Sequence, residues 1–298
     1  MNISAILSSW SIEPTIVAGL VIAAVLYWLG VRYSRRAGLA RHLTWWRTAA
    51  FAAGLLIVFF ALDGPMDAAA DTWLTAHMAQ HELLVMVAAP LLLFGAPLWP
   101  WWRAVPLATR RATLGWAIRR RWPRRVGHIV SLVLFGPIQG IVLFIAGFSI
   151  WHLPALYDAA LRDDTVHALE HMTFLAVALL FWAQVIPSRP LQPRLGYVMR
   201  VVYIGIAGLY SSVMGSVFMF STAPFYPYYA ALARPAGAPS ALVDQHLAGS
   251  AMDIPGVLIF LVAMCVLIWL WLSEDERRPD PVPVRPPALH AAARHAAP

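Results

Sequence analysis

The sequence has no lysine and only one cysteine. All 22 basic residues are arginine, and aspartate and glutamate together number 15. The lone Cys265 lies inside the last apolar run, so an intrachain disulfide and a cysteine-based metal cage are both excluded. Charge of either sign is scarce: 12% of the 298 residues are charged and 60% are hydrophobic. A soluble domain carries about twice that charge. The net charge of +7 would suggest nucleic acid in a soluble protein. Here the arginines stand between apolar runs and read as topology signals, so no nucleic-acid partner is expected. The chain also lacks a phosphate loop, a nucleophile elbow and a nucleotide-binding fingerprint. Its first residues, MNISAILSSWSIEPT, lack the basic region of a cleaved signal peptide, so the first apolar run is expected to be retained.

What the chain does contain is long apolar runs, several reaching the roughly 20 residues that cross a bilayer as a helix. Seven spans can be drawn, at 14–33, 46–62, 73–93, 127–150, 166–186, 198–220 and 245–272. The expected fold is all-α: a polytopic membrane protein built as a seven-transmembrane helix bundle. It forms one domain over residues 1–272, followed by a Pro/Ala-rich tail, 273–298, expected to be disordered.

The connections alternate in charge. RYSRRAGLARHLTWWR holds five arginines and no acid, whereas DGPMDAAAD holds three aspartates and no base. The third connection is rich in arginine, the fourth sets Arg162 against Asp158, Asp163 and Asp164, and the fifth carries Arg189, Arg194 and Arg200. Basic loops stay cytoplasmic, so the N-terminus is expected outside and the C-terminus and tail in the cytoplasm. Trp99, Trp101 and Trp102 read as an inner interfacial belt, and FYPYYAAL (225–232) as an interfacial aromatic segment. Gly205, Gly208, Ser212, Gly215 and Ser216 mark the sixth span as one that packs closely against its neighbours.

Ionisable residues inside spans are costly and carry a task by default. His77 and His81 open the third span with Gln80 and Glu82 beside them; His152 ends the fourth; His167, Glu170 and His171 open the fifth. The seventh opens with Asp244, Gln245 and His246, followed by Met252 and Asp253. On a helix, residues four apart share a face, so each HxxxH pair points one way. Six of ten histidines thus collect at the outer ends of four spans, while His42, His128, His290 and His295 lie elsewhere.

Neutral imidazole suits copper, zinc, iron and nickel, and thioether sulfur favours Cu(I). The expected metal site draws on His77, His81, His152, His167, His171 and His246. Glu170, Asp158, Asp244, Met252, Asp253 and Tyr157 stand around them or add ligands. Other readings stay open. His167-Ala-Leu-Glu170-His171 matches H-x-x-E-H, the signature of a zinc hydrolase in which glutamate serves as general base. Haem is another option, since histidine can ligate it axially. A buried polar network tying helix ends together is the plainest.

The strings HMAQHELLVMVAAPLLLFGAPLW, WHLPALYDAALRDDTVHALEHMTFLAVALLFW and DQHLAGSAMDIPG resemble the CtaG-like cytochrome c oxidase assembly proteins of bacteria. The resemblance covers about residues 15–272, and H-x-P-x-L-Y-D followed by H-x-x-E-H is its most specific part. It implies a non-enzymatic, multi-pass protein of the bacterial inner membrane that helps deliver copper to a haem–copper oxidase. Its partners would be oxidase subunits or other assembly factors, and membrane lipid; zinc is the alternative metal under the H-x-x-E-H reading. The positions that carry over are His77, His81, His152, Tyr157, Asp158, His167, Glu170, His171, Asp244 and Gln245. Asp253 departs from the pattern, which has tryptophan after Met252, and His246 stands where the pattern varies.

Overall fold

In the computed structural model of the protein, residues 10, 12–41, 43–119 and 136–276 are described. His42, His128, His290 and His295, the opening of the expected fourth span and nearly all of the tail lie outside them. The described chain is helical, with one isolated β-bridge between Ser188 and Leu191. Six helical stretches are long and apolar enough to cross a membrane, and a bent pair raises the number to seven if it forms one span.

Helix α1 (Pro14–Arg36) begins on a proline and ends before Gly38, whose φ of +67° suits a residue without Cβ. Helix α2 (Trp45–Leu62) is followed by Asp63, Gly64 and the short α3 (Pro65–Ala70). The third span is the centre of the bundle. It comprises α4 (Leu74–Glu82), a wide π-helical turn (Leu83–Ala88) and α5 (Ala89–Phe94). Some 72% of its apolar window is buried, against 17% for α1 and for the last span.

Pro90 explains the π turn. Its ring has no N–H and would clash with the carbonyl four residues back, so the ladder widens just upstream. The Ala89 N–H reaches five residues back to Leu84 O. In that pattern the carbonyl of Val85 would fall to residue 90, which has nothing to donate. The indole of Trp182 supplies the missing donor, 2.9 Å from Val85 O. A local defect in one span is thus repaired by the last residue of another.

Beyond α5 the chain turns through α6 (Leu98–Ala104) and α7 (Leu107–Arg119). Trp101 is only half-exposed and donates to Ala23 O at 3.1 Å, while Tyr27 donates to Gly95 O at 2.9 Å. Gly30 lets α6 lie directly on α1, since a Cβ there would collide with Pro100 O. Helices α8 (Pro137–Trp151) and α9 (Pro154–Ala160) meet at 76°, broken at His152 and Leu153 ahead of Pro154.

Helix α10 (Asp164–Trp182) starts on a side-chain cap, with Asp163 accepting from the N–H groups of Thr165 and Val166 at 2.8 and 3.1 Å. Helix α11 (Tyr197–Met219) packs on the 35-residue α13 (Ala241–Asp275), and the short α12 (Pro227–Ala231) lies between them in sequence. The α11–α13 backbones touch: a Cβ on Gly249 would come within 2.6 Å of Gly215 O. Gly205, expected to pack closely like the other small residues of that span, meets nothing within 4 Å. Helix α13 continues through Asp275, so the first three residues of the expected tail are helical.

Apolar side chains fill the space between α4–α5, α8, α10, α11 and α13, with Phe144, Phe174, Phe181, Ile204 and Phe260 essentially inaccessible. A second cluster joins α1 and α2 to the π turn. A third lies at the opposite end of α4 around Leu74, Met78, Tyr157, Tyr226, Tyr229 and Met252. That last cluster forms the roof of the candidate site.

Candidate metal centre

Two short helical segments build the centre. On α4, the rings of His77 and His81 lie in contact one turn apart, centroids 4.4 Å. On α10, His167 and His171 do the same at 4.2 Å, with Glu170 beside them. The pairs face one another across the bundle: His77 to His167 is 5.1 Å between rings, His81 to His171 is 5.3 Å, and His77 to His171 is 6.1 Å. Glu170 stands between them. Its Oε2 is 3.8 Å from His77 Nε2 and its Oε1 is 3.8 Å from His81 Nε2. Glu170 and His77 are fully buried, His81 and His171 nearly so, and His167 is half-buried.

These atoms are close but not hydrogen-bonded to one another. A separation of 3.8 Å lies beyond hydrogen-bond reach. Among the described residues, His77 Nε2, both nitrogens of His81, His167 Nε2, His171 Nε2 and both oxygens of Glu170 are buried without a hydrogen-bond partner. Each such atom costs about 1–3 kcal/mol when left unsatisfied. Two ligand triads lie within 4.8 Å, His77–His81–His171 and His77–His167–Glu170. Ligands about 2.0–2.1 Å from a tetrahedral ion stand roughly 3.3–3.4 Å from one another. The cluster therefore needs only a modest contraction to hold an ion, and its imidazole and carboxylate donors suit one chemically.

The outer hydrogen bonds show which nitrogen is offered. The hydroxyl of Tyr229 donates its single proton to Ala70 O. It can therefore only accept from His77 Nδ1, 3.2 Å away. Nδ1 carries the hydrogen, and Nε2 keeps its lone pair toward Glu170. Burial pushes the Tyr229 phenol well above its usual range, so it stays protonated and keeps this role. His152 follows the same rule. Its Nδ1 donates to Phe148 O at 2.7 Å, and its buried Nε2 has no partner among the described residues.

The other expected residues divide by location. His152 sits just behind the four-histidine group, ring centroids 6.4 Å from Tyr157 and 6.1 Å from Phe174, which in turn touch His77 and His81. Tyr157 is fully buried and stacks on Tyr226 at 4.0 Å. His246 stands apart, its Nε2 2.9 Å from Ser221 O. Asp244 holds no imidazole. It accepts from the N–H groups of Leu74 and Thr75 and from the Thr75 hydroxyl, and pairs with Arg234 at 3.2 Å. An aspartate on α13 thereby caps α4 and sets the rotation of the helix that carries His77.

Gln245 accepts from Phe225 N and donates to Ser221 Oγ and Ala223 O, anchoring the loop before α12. Asp158 lies 3.8 Å from Arg162 and accepts from Tyr228 N at 3.5 Å. Met252 packs in the roof, and Asp253 accepts from Ser212 Oγ at 2.7 Å.

Three features are absent from the sequence-based expectation. Tyr226 and Tyr229 belong to a segment expected at the membrane surface. They are instead buried, because α12 folds over the centre and Tyr226 donates to His152 O at 3.1 Å. Glu82 is 94% buried, and its Oε2 has no partner among the described residues. Gln80 donates to Ala61 O at 2.7 Å and to Asp67 at 2.9 Å, tying α4 to α2 and α3. Only the carboxamide and carboxylate beside the histidines hinted at the last two; nothing local marked the tyrosines.

The fold and the centre define a class: a multi-pass helical membrane protein with a buried, histidine-rich cluster able to coordinate a metal ion. The chain belongs to the family described as cytochrome c oxidase caa3 assembly factor, which it matches over residues 25–274. This is a family of assembly factors rather than of catalytic enzymes. Uncharacterized proteins of Mycobacterium bovis and Mycobacterium tuberculosis are 26% identical to it over 282 residues, and one of Mycobacterium leprae is 25% identical over 284. These alignments cover 93% of this chain but 41% of each relative, so the chain spans about two fifths of their length. No solved structure matches it.

Proposed function

We propose that the centre binds copper and that the protein hands it to a subunit of a haem–copper cytochrome c oxidase during assembly. Support comes from one observation above all: buried, unpartnered donor atoms on His77, His81, His167, His171 and Glu170 converge from two helices. In this reading the four histidines and Glu170 are the ligands. His152 is a neighbouring donor with its Nε2 free, placed to receive or pass on the ion. Tyr157 and Tyr229 orient the rings and exclude water.

An exchangeable cargo favours more donors than one coordination sphere needs, since the ion can move between overlapping ligand sets. The two triads share His77, which fits that requirement. An H-x-x-E-H hydrolase instead needs a glutamate free to act on a metal-bound water. Glu170 is enclosed between His77 and His81, which argues against that reading. Alternating loop charge supports an orientation with the histidine end outside the bacterial inner membrane and the C-terminus in the cytoplasm.

The test is genetic complementation. A strain lacking the gene is supplied with wild type or with His77→Ala/His81→Ala, and copper per haem is measured in purified oxidase. Wild type should restore full copper occupancy, whereas the variant, present in the membrane at equal level, should leave the oxidase copper-poor. Equal occupancy with both would refute the delivery role.

A further inference from the structure

The bundle has a second polar feature, at the end remote from the histidines. The third span runs from His77 to Phe94, which at ~1.5 Å per residue separates the two ends by roughly 25 Å, close to the hydrocarbon thickness of a bilayer. At that far end lies an open cavity of about 980 Å³. Its walls come from the α1–α2 connection, the start of α2, the α5–α6 turn and the segment after α10. Arg41, Arg47 and Arg189 line it together with Trp46 and Trp99, and among the described residues no acidic one is in the lining.

The geometry points to a binding site for the phosphodiester headgroup of an anionic phospholipid. Three arginines from separate segments line one cavity, and guanidinium pairs bidentately with phosphate oxygens. Arg47 is already held in place: it donates to Phe94 O at 3.2 Å, and its Cζ lies 4.8 Å from the centre of the Trp46 ring. Trp46, Trp99 and Leu39 are 42%, 38% and 48% exposed, an amphipathic and apolar rim along which acyl chains can lie. Basic pockets between membrane helices recognise such headgroups. The occupant would bridge the α1–α2 connection, the start of α2, the end of the histidine-bearing third span and the segment after α10. A free phosphate ion could meet the arginines but would leave the rim uncovered.

The test uses the full chain in a neutral detergent, with thermal unfolding read against added lipid. Phosphatidylglycerol should raise the unfolding temperature saturably, whereas phosphatidylcholine and inorganic phosphate at the same concentration should not. Arg41→Gln/Arg47→Gln/Arg189→Gln should weaken the phosphatidylglycerol response about tenfold. Arg32→Gln/Arg36→Gln/Arg111→Gln, which removes equal charge outside the lining, should leave it unchanged. If the first triple variant does not fold, Arg41→Gln and Arg189→Gln singly, both at exposed positions, must each weaken it. Equal loss in the control variant would overturn the proposal in favour of diffuse surface charge. An equal response to inorganic phosphate would overturn it in favour of a soluble anion, and an equal response to phosphatidylcholine would overturn it altogether.

Discussion

His77 Nδ1 lies 3.2 Å from the hydroxyl of Tyr229, residues 152 positions apart in the chain. Because that hydroxyl spends its proton on Ala70 O, the contact determines which nitrogen of His77 is offered to the centre. Tyr229→Phe removes the acceptor and keeps the ring. Metal affinity is expected to fall roughly 10–100-fold, the usual effect of losing a partner that orients a ligating histidine. Competition with a chelator measures it, and unchanged helicity by circular dichroism would show that the fold survives.

Asp244 makes a different kind of connection. Its carboxylate takes the N–H groups of Leu74 and Thr75 and the Thr75 hydroxyl, and meets Arg234. Asp244→Ala leaves buried donors at the start of α4 unsatisfied, at about 1–3 kcal/mol. The expected result is a lower unfolding temperature together with weaker metal binding, because the capped helix carries His77 and His81. A variant that unfolds as wild type does would show that the cap is dispensable.

The α11–α13 contact yields a prediction about stability alone. A Cβ on Gly249 would lie 2.6 Å from Gly215 O and 2.8 Å from Met219 N, backbone atoms that cannot turn aside. Gly249→Ala should therefore destabilise the protein by roughly 1–3 kcal/mol, the range for overpacking. Gly205→Ala, at a helical position with nothing within 4 Å, should be neutral or slightly stabilising. Thermal unfolding of the two variants in one detergent makes the comparison.

Acid should empty the centre. Imidazole ligates only when neutral, so metal binding competes with protons. Metal retained by the purified protein is expected to fall as pH drops from 7.5 to 5, in step with loss of the bound-metal signal. Retention that persists down to the pH at which the protein unfolds would argue that the histidines are not the ligands.

Six of the expected spans were legible because a membrane helix is encoded locally, as one apolar run. Residues 73–93 were expected to form the third span, and Leu74–Phe94 is what folds. The facing of His77 toward His81 and of His167 toward His171 was legible for the same reason, since i, i+4 spacing implies one face. That these pairs meet each other is tertiary and was suggested only by their shared depth. The roles of Tyr226, Tyr229 and Asp244 were hidden, because they depend on α12 folding back and on α13 lying against α4. Pro90 was visible in the sequence, yet its consequence required Trp182, 92 residues on, to be placed beside Val85. The flanking aspartates misled in a similar way: Asp244 looked like a ligand or a partner for histidine and is a helix cap.

The most direct measurement is the copper content and Cu(I) affinity of the detergent-purified protein. Wild type is compared with His77→Ala/His81→Ala and His167→Ala/His171→Ala. Wild type should bind copper stoichiometrically, and each double variant, folded by circular dichroism, should lose it, because the two pairs contribute to one centre. Stoichiometric copper in either double variant, or a wild type that takes up no copper, would contradict the account.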